Sequence, residues 1–424
     1  MHIKQGLSFS QSLAKKLGVA WWYGLMAFHL YNLFFNSART SIVYPLLLAS
    51  ACWLIWRRKI HARFFLDPVG GALVIFLGVG ILSNVANDRP ATDLMQAVWF
   101  LYPYYWGKYL VSSNAMRPEA FCRMFIAFAT IFAMAFIFGH YALGLDSLAG
   151  KDFIRSDGRF VFTFKYPVRV GLYLGTAVLF CLHFLMERGL MSREGWLWAV
   201  DAVCLFPFCI LKSQDRTTFA LLGAWVTALL VSYRKVRLLI VLGFVGAALV
   251  LSLGLTDRML VRPADFWSSP AMLYRYSFWE VSLRLFCEQP LLGHGYGSFS
   301  DLYRPYVDEH RETLLFTDID PDETATHNMN LSLLAQTGLL GFLAMNAAFF
   351  FTIWGFWRYR SRDPILWVLM LTVAYYYMAM QMNVFLHSHH SNKLVFLVMG
   401  LVGGRLFSGT GNGGGLKQDD PNLA

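Results

Sequence analysis

HNMNLSLLAQTGLLGFLAMNAAFFFTIWG, residues 327–355, carries no Asp, Glu, Lys or Arg. It is long enough for a bilayer core, which needs about 20 mostly apolar residues per helix. Eleven further runs of this kind lie near 19–35, 42–56, 68–83, 94–111, 121–145, 168–186, 196–211, 217–233, 238–255, 364–386 and 391–407. Together they predict an all-α polytopic membrane protein of about 12 transmembrane helices, a single membrane domain over 1–424. Composition agrees: 57% of residues are hydrophobic and only 15% charged, with a mean hydropathy of +0.46. Soluble domains carry about 25% charged residues, so a soluble enzyme, a disordered chain, a collagen and a disulfide scaffold are excluded. The cysteines at 52, 122, 181, 204, 209 and 287 have no framework spacing and read as apolar packers.

The sequence pI near 9.3 would point to nucleic acid in a soluble protein. Here the charge follows the membrane instead, and no nucleic-acid partner is expected. With both termini inside, the cytoplasmic connections hold 20 Lys and Arg, and the opposite face holds 10 outside the segment 256–326. This is the positive-inside pattern. No cleavable signal peptide is read at the start, and the Gly-rich tail 408–424 is expected to be a disordered cytoplasmic extension.

One segment departs from the pattern. Residues 256–326 hold 12 acidic and 6 basic residues and are rich in Tyr, Phe, Trp and Leu. A connection this long is functional or disordered, and the aromatic content argues for order. The expectation is a helical periplasmic segment, 256–327, between the ninth and tenth membrane helices. Within it, Leu273–Phe286 reads as an amphipathic helix on which Arg275 and Arg284 point to opposite sides. Arg284 follows Glu280 by four residues, a structural pairing. Arg275 has no acidic residue one turn away in the sequence, and Trp279 one turn on offers it a stacking face.

Three residues stand out chemically. His327 is placed at a helix N-terminus on the outer face, where unpaired amides disfavour an imidazolium and favour an anion. A neutral histidine beside an anion suits a general base, and an interfacial capping histidine is the equal alternative. Arg216 lies at the outer end of a helix pair joined by a very short turn, and a membrane-edge Arg is functional by default. With Arg275, these make two guanidiniums and an imidazole on one face, a set suited to a diphosphate whose charge grows as a bond breaks. The Gly293–Gly297 stretch (GHGYG) is a weak phosphate loop and reads better as a tight turn. Asp318, Asp320, Asp322 and Glu323, and the His387–His390 run, are weak metal candidates; no metal and no cofactor are expected.

At these residues the sequence resembles the O-antigen ligase and O-antigen polymerase superfamily of bacterial membrane glycosyltransferases. The likeness rests on Arg216-Thr-Thr-Phe-Ala-Leu, on Arg275-Tyr-Ser-Phe-Trp279 with Pro290-Leu-Leu-Gly-His-Gly-Tyr-Gly-Ser-Phe299, and on His327-Asn-Met-Asn-Leu331 with Gln336-Thr-Gly338-Leu-Leu-Gly341. A weaker likeness covers Gly158–Leu174, where Val168 stands after Pro167 in place of the family's usual Asn. Cations nearby, Arg155, Arg159, Lys165 and Arg169, are candidates for phosphates of an acceptor glycolipid or for lipid headgroups.

The resemblance implies a GT-C-like membrane enzyme in the inner membrane with a periplasmic active site. It would move a glycan from undecaprenyl diphosphate to a hydroxyl of the lipid A–core oligosaccharide, completing lipopolysaccharide. The resemblance also implies inversion without nucleotide or metal, with His327 as base or orienting group and Arg216 and Arg275 on the diphosphate. A monomer among membrane lipids is expected. Two alternatives stand: a polymerase that extends lipid-linked repeats, and a lipid or solute transporter, although the polar groups gather at one face and not mid-membrane.

Overall fold

The computed structural model describes residues 2–35, 64–148, 151–235, 269–316, 326–354, 362–383 and 389–407, without positions 66, 157, 163, 165 and 166 and with isolated positions 241, 243 and 359. The described chain is dominated by helices: α1 (His2–Phe35), α2 (Pro68–Ala86), α3 (Ala91–Ser112), α4 (Pro118–Ala142), α5 (Pro167–Arg188), α6 (Gly195–Ser213), α7 (Arg216–Ser232), α8 (Pro270–Glu288), α9 (Phe299–Glu309), α10 (Met329–Ile353), α11 (Pro364–Met380) and α12 (His389–Phe407). A short antiparallel hairpin, Ser147–Leu148 with Lys151–Asp152, follows α4. Five helices, α2, α4, α5, α6 and α10, are long and apolar enough to cross a membrane by length and composition, and α7 and α11 are shorter apolar helices. The molecule is an all-α polytopic membrane protein. The runs read at 42–56 and 238–255, and the tail 408–424, lie outside the described residues.

Helix starts follow the local sequence. Asp67 caps α2, its Oδ1 accepting from the amides of Val69 and Gly70 at 3.0 Å each, with Pro68 at the first helical position. Asp363 and Pro364 repeat the arrangement on α11. Asp67 also receives the Tyr104 hydroxyl at 2.5 Å and the Lys108 ammonium at 2.6 Å, all three being buried. Lys108 is therefore paired with Asp67 inside the helix bundle.

Small residues let the helices close up. A Cβ at Gly400 on α12 would overlap the Tyr104 carbonyl of α3, and one at Gly404 would meet the Lys108 carbonyl at 2.7 Å. The central helix α5 is buried along nearly its whole length. Cys122, Cys181 and Cys209 are packed inside, whereas Cys204 and Cys287 are exposed.

Residues 327–355 do not form one straight span. Gly338 has φ +62° and ψ −165°, which breaks α10 into halves 329–337 and 339–353. Asn346 Nδ2 donates to Asn330 Oδ1 at 3.1 Å. On a continuous helix those positions would stand about 24 Å apart at 1.5 Å per residue. The chain therefore folds back at Gly338, and the two halves lie side by side. This corrects the expectation of a single span over 328–355.

Candidate active site

The fold-back is built from distant sequence. The loop 289–297 enters the break, where the amide of His294 donates to the Ala335 carbonyl and that of Gly295 to the Gln336 carbonyl, both at 3.0 Å. In return the Leu339 amide donates to Pro290 O at 2.8 Å. The Ser83 hydroxyl of α2 donates to Leu292 O at 2.6 Å and to Gln336 O at 3.0 Å. Backbone groups freed by a broken membrane helix must be satisfied by protein, and here they are. Tyr296 N donates to Asn84 Oδ1 and Gly297 N to Gln336 Oε1, each at 2.6 Å. The amides of 294–297 are all occupied, so GHGYG is a docking turn with no amide left for a phosphate.

His327 precedes the first half-helix. Asn328 caps it, Oδ1 accepting from the Leu331 amide at 3.0 Å. His327 itself has φ +49°, a left-handed backbone that non-glycine residues adopt at some cost. The helix α8 packs here: the Trp279 indole donates to the Thr326 carbonyl at 3.2 Å, and the Phe278 ring lies 5.9 Å from the His327 ring. Arg275 precedes Phe278 and Trp279 by three and four residues, so it shares their side of α8. Arg284 lies elsewhere, its guanidinium donating to Glu280 Oε1 at 2.8 Å and to Thr313 O at 2.5 Å. The Glu280–Arg284 pairing read from sequence is present.

Glu280 does more than pair. Its carboxylate also accepts from the amides of Leu315 at 2.9 Å and Phe316 at 3.0 Å, tying the chain after α9 onto α8. Partial burial pushes its pKa up, but the two amides and the Arg284 guanidinium outweigh that and hold it below the usual carboxylate range.

Arg216 opens α7 after the turn at Gln214, whose φ is +54°. It is exposed, and among the described residues it makes no hydrogen bond or ion pair. Asp215 beside it accepts from the Thr218 hydroxyl at 2.5 Å instead. Burial raises the Asp215 pKa, while the Thr218 hydroxyl and the nearby Arg159 guanidinium act to lower it. The loop after the hairpin docks on this turn, with Phe160 N donating to Lys212 O at 3.0 Å and Gln214 Nε2 to Gly158 O at 3.4 Å. Underneath, Phe160 stacks on Phe136 with centroids 3.7 Å apart. The exposed Arg155 and Arg159 are thereby carried beside the Arg216 turn, while Arg169 is buried in the first turn of α5. Lys165, the acidic run 318–323 and His387 lie outside the described residues.

The loop carrying Arg155 and Arg159 thus docks on the Arg216 turn, and the helix carrying Arg275 docks on the turn carrying His327. Helix α11 packs near each turn. Its Tyr375 hydroxyl donates to Gly171 O at 3.2 Å, next to Thr218, and its Tyr377 hydroxyl donates to Asn346 Oδ1 at 2.7 Å. Asn330, one turn beyond His327, donates to Tyr377 Oη at 3.4 Å. Sequence reading passed over Asn330, Asn346 and Tyr377, although an Asn inside a charge-free apolar run is a signal in itself.

Residues 202–346 match the family model described as O-antigen ligase. The matched part contains Arg216, Arg275, His327 and the Gly338 break, and leaves out the hairpin, α11 and α12. Comparison with curated proteins finds no match.

Proposed function

We propose, from the match of residues 202–346 to the O-antigen ligase family model, that the chain is a member of the O-antigen ligase/polymerase superfamily and transfers O-antigen glycan from undecaprenyl diphosphate to a hydroxyl of the lipid A–core oligosaccharide. One observation carries the reading: the helix bearing Arg275 closes on the turn bearing His327, through Trp279 to Thr326 O and Phe278 to the imidazole. Arg275 precedes both contact residues by about one helical turn, which supports a cation and a base working together beside a helix start, an arrangement suited to an anionic leaving group and an attacking hydroxyl.

In the proposed step the acceptor oxygen attacks the anomeric carbon of the donor. The bond from that carbon to the diphosphate oxygen breaks, and the configuration inverts. His327 takes the hydroxyl proton or orients the hydroxyl, and Arg275 and Arg216 bind the charge that grows on the departing diphosphate. Exposed Arg216 offers its guanidinium on the turn against which the loop of Arg155 and Arg159 docks, while Asp215 beside it is held by Thr218. Arg155, Arg159, Lys165 and Arg169 are assigned to phosphates of the glycolipid substrates. The active site is assigned to the periplasmic face of the inner membrane.

The test is an in vitro transfer assay with purified protein, lipid-linked glycan and EDTA, with and without lipid A–core, and with His327→Ala alongside. Glycan on lipid A–core that is lost in the variant is the expected result. Longer glycan on the undecaprenyl carrier would assign polymerase activity instead. No product with either acceptor would overturn glycan transfer.

A further inference from the structure

Asn330, Asn346 and Tyr377 form a closed ring of hydrogen bonds. The Tyr377 hydroxyl donates to Asn346 Oδ1 at 2.7 Å, Asn346 Nδ2 donates to Asn330 Oδ1 at 3.1 Å, and Asn330 Nδ2 donates to Tyr377 Oη at 3.4 Å. Each side chain gives and receives once, and Asn346 Nδ2 also donates to Phe342 O at 2.8 Å. The three come from three pieces of structure: the half-helix after His327, the half-helix after the Gly338 break, and α11. Phe349 backs the ring against Tyr377, with centroids 5.1 Å apart. All three residues are half-buried, where a fully satisfied polar network holds its parts in one arrangement.

The half-helix 329–337 is shorter than the length at which isolated helices are stable in water, so its position depends on tertiary contacts. Its far end is fixed at the Gly338 break by the 289–297 loop and Ser83. Its near end, which carries His327, is tied by the Asn328 cap within the half-helix, by Trp279 to Thr326, and by this ring. Of these, the ring alone ties the near end to α11, the helix that also reaches Gly171 beside the Arg216 turn. We propose that Asn330, Asn346 and Tyr377 are positioning residues that clamp the His327 half-helix against the second half of α10 and against α11, setting where the imidazole stands relative to the Arg216 side of the site. The proposal rests on the role given to His327 above.

The test uses full-length protein in lipid nanodiscs with the donor and acceptor of the transfer assay. Tyr377→Phe and Asn346→Ala each remove two of the ring's three links without touching substrate. Misplacement of a catalytic group by about 1 Å can cost on the order of 100-fold, so kcat is expected to fall roughly 10- to 100-fold with the donor KM nearly unchanged. Asn346→Asp, which keeps the acceptor for Tyr377, is expected to retain part of the lost rate. A second readout follows His327 directly: carbethoxylation by diethylpyrocarbonate, quantified by peptide mass spectrometry against His294 as internal reference. Loosening the clamp should speed modification of His327 by at least about threefold, as for a locally opened segment, and leave His294 unchanged.

Unchanged kcat in both variants, with His327→Ala inactive, would overturn the clamp and leave the function standing. A fall in kcat with no change in His327 modification would also overturn it, since the ring would then act elsewhere. If His327→Ala keeps its full rate, the role of His327 fails, and the clamp as a catalytic device fails with it. Should Tyr377→Phe not yield folded protein, the two Asn346 variants carry the same comparison.

Discussion

His327 sits in a strained left-handed backbone between a capped half-helix and the ring of Phe278. Strain of this kind persists only where the surroundings over-determine it, and it clusters at functional sites. His327→Ala is therefore expected to lower transfer by at least about 100-fold, the usual worth of a general base, in the assay described above. The two arginines of α8 give a sharper contrast. Arg275→Ala should cost roughly 10- to 1000-fold in initial rate if it stabilises a developing diphosphate charge. Arg284→Ala should leave the rate within about twofold and lower the thermal midpoint slightly, because its guanidinium serves Glu280 and Thr313, a pairing worth on the order of 1 kcal/mol or less. Arg216→Lys separates charge from shape: the charge stays, the planar fork is lost, and an intermediate rate is expected.

Among the elements, α10 shows how far local pattern can mislead. Its hydropathy is continuous, and nothing within 327–355 other than one glycine marks the fold-back. Gly338 has positive φ, and a Cβ there would overlap the Leu291 backbone. Gly338→Ala should thus lower the yield of folded protein and the melting temperature, at a cost of at least about 1–2 kcal/mol from the backbone alone. Gly223, exposed on α7 with nothing near its absent Cβ, is the control: Gly223→Ala should stabilise by about 0.5–1 kcal/mol. At α8 the relevant variable is pH. The Glu280 pKa is held below its unfolded value near 4.3, so its contribution is fully present above that value and is lost as pH falls through the folded pKa. Amide exchange at Leu315 and Phe316, corrected for intrinsic rates, should accelerate on acidification toward pH 3. Glu280→Gln should already exchange fast at pH 6. Equal protection in the variant would refute the carboxylate's role.

For the molecule as a whole, orientation is the property to test. Helix ends that carry the site contacts, at Gly171, Thr218, Asn330 and Tyr377, gather through α11, and the positive-inside pattern predicts a periplasmic position for that end, a prediction open to direct test. A membrane-impermeant thiol reagent should label Arg155→Cys, in a background lacking native cysteines, on intact inner-membrane-exposed cells. Arg193→Cys should label only after permeabilisation. The reverse pattern would invert the topology and move the site to the cytoplasm.

Helical class, helix starts at Asp67-Pro68 and Asp363-Pro364, the Glu280–Arg284 pair of α8 and the identity of His327, Arg216 and Arg275 as candidates were legible in the sequence. Each is a short-range property: apolar runs, capping residues and a 100° helical repeat act between neighbours in the chain. The fold-back at Gly338, the capture of GHGYG amides by α10 and Asn84, and the Asn330–Asn346–Tyr377 ring were decided only in the tertiary structure. They join Ser83, Leu292 and Gln336, or Asn330 and Tyr377, across long stretches of chain. No local periodicity encodes which distant backbone groups will satisfy a broken helix. That choice is made when every buried N–H and C=O must find a partner in a medium without water.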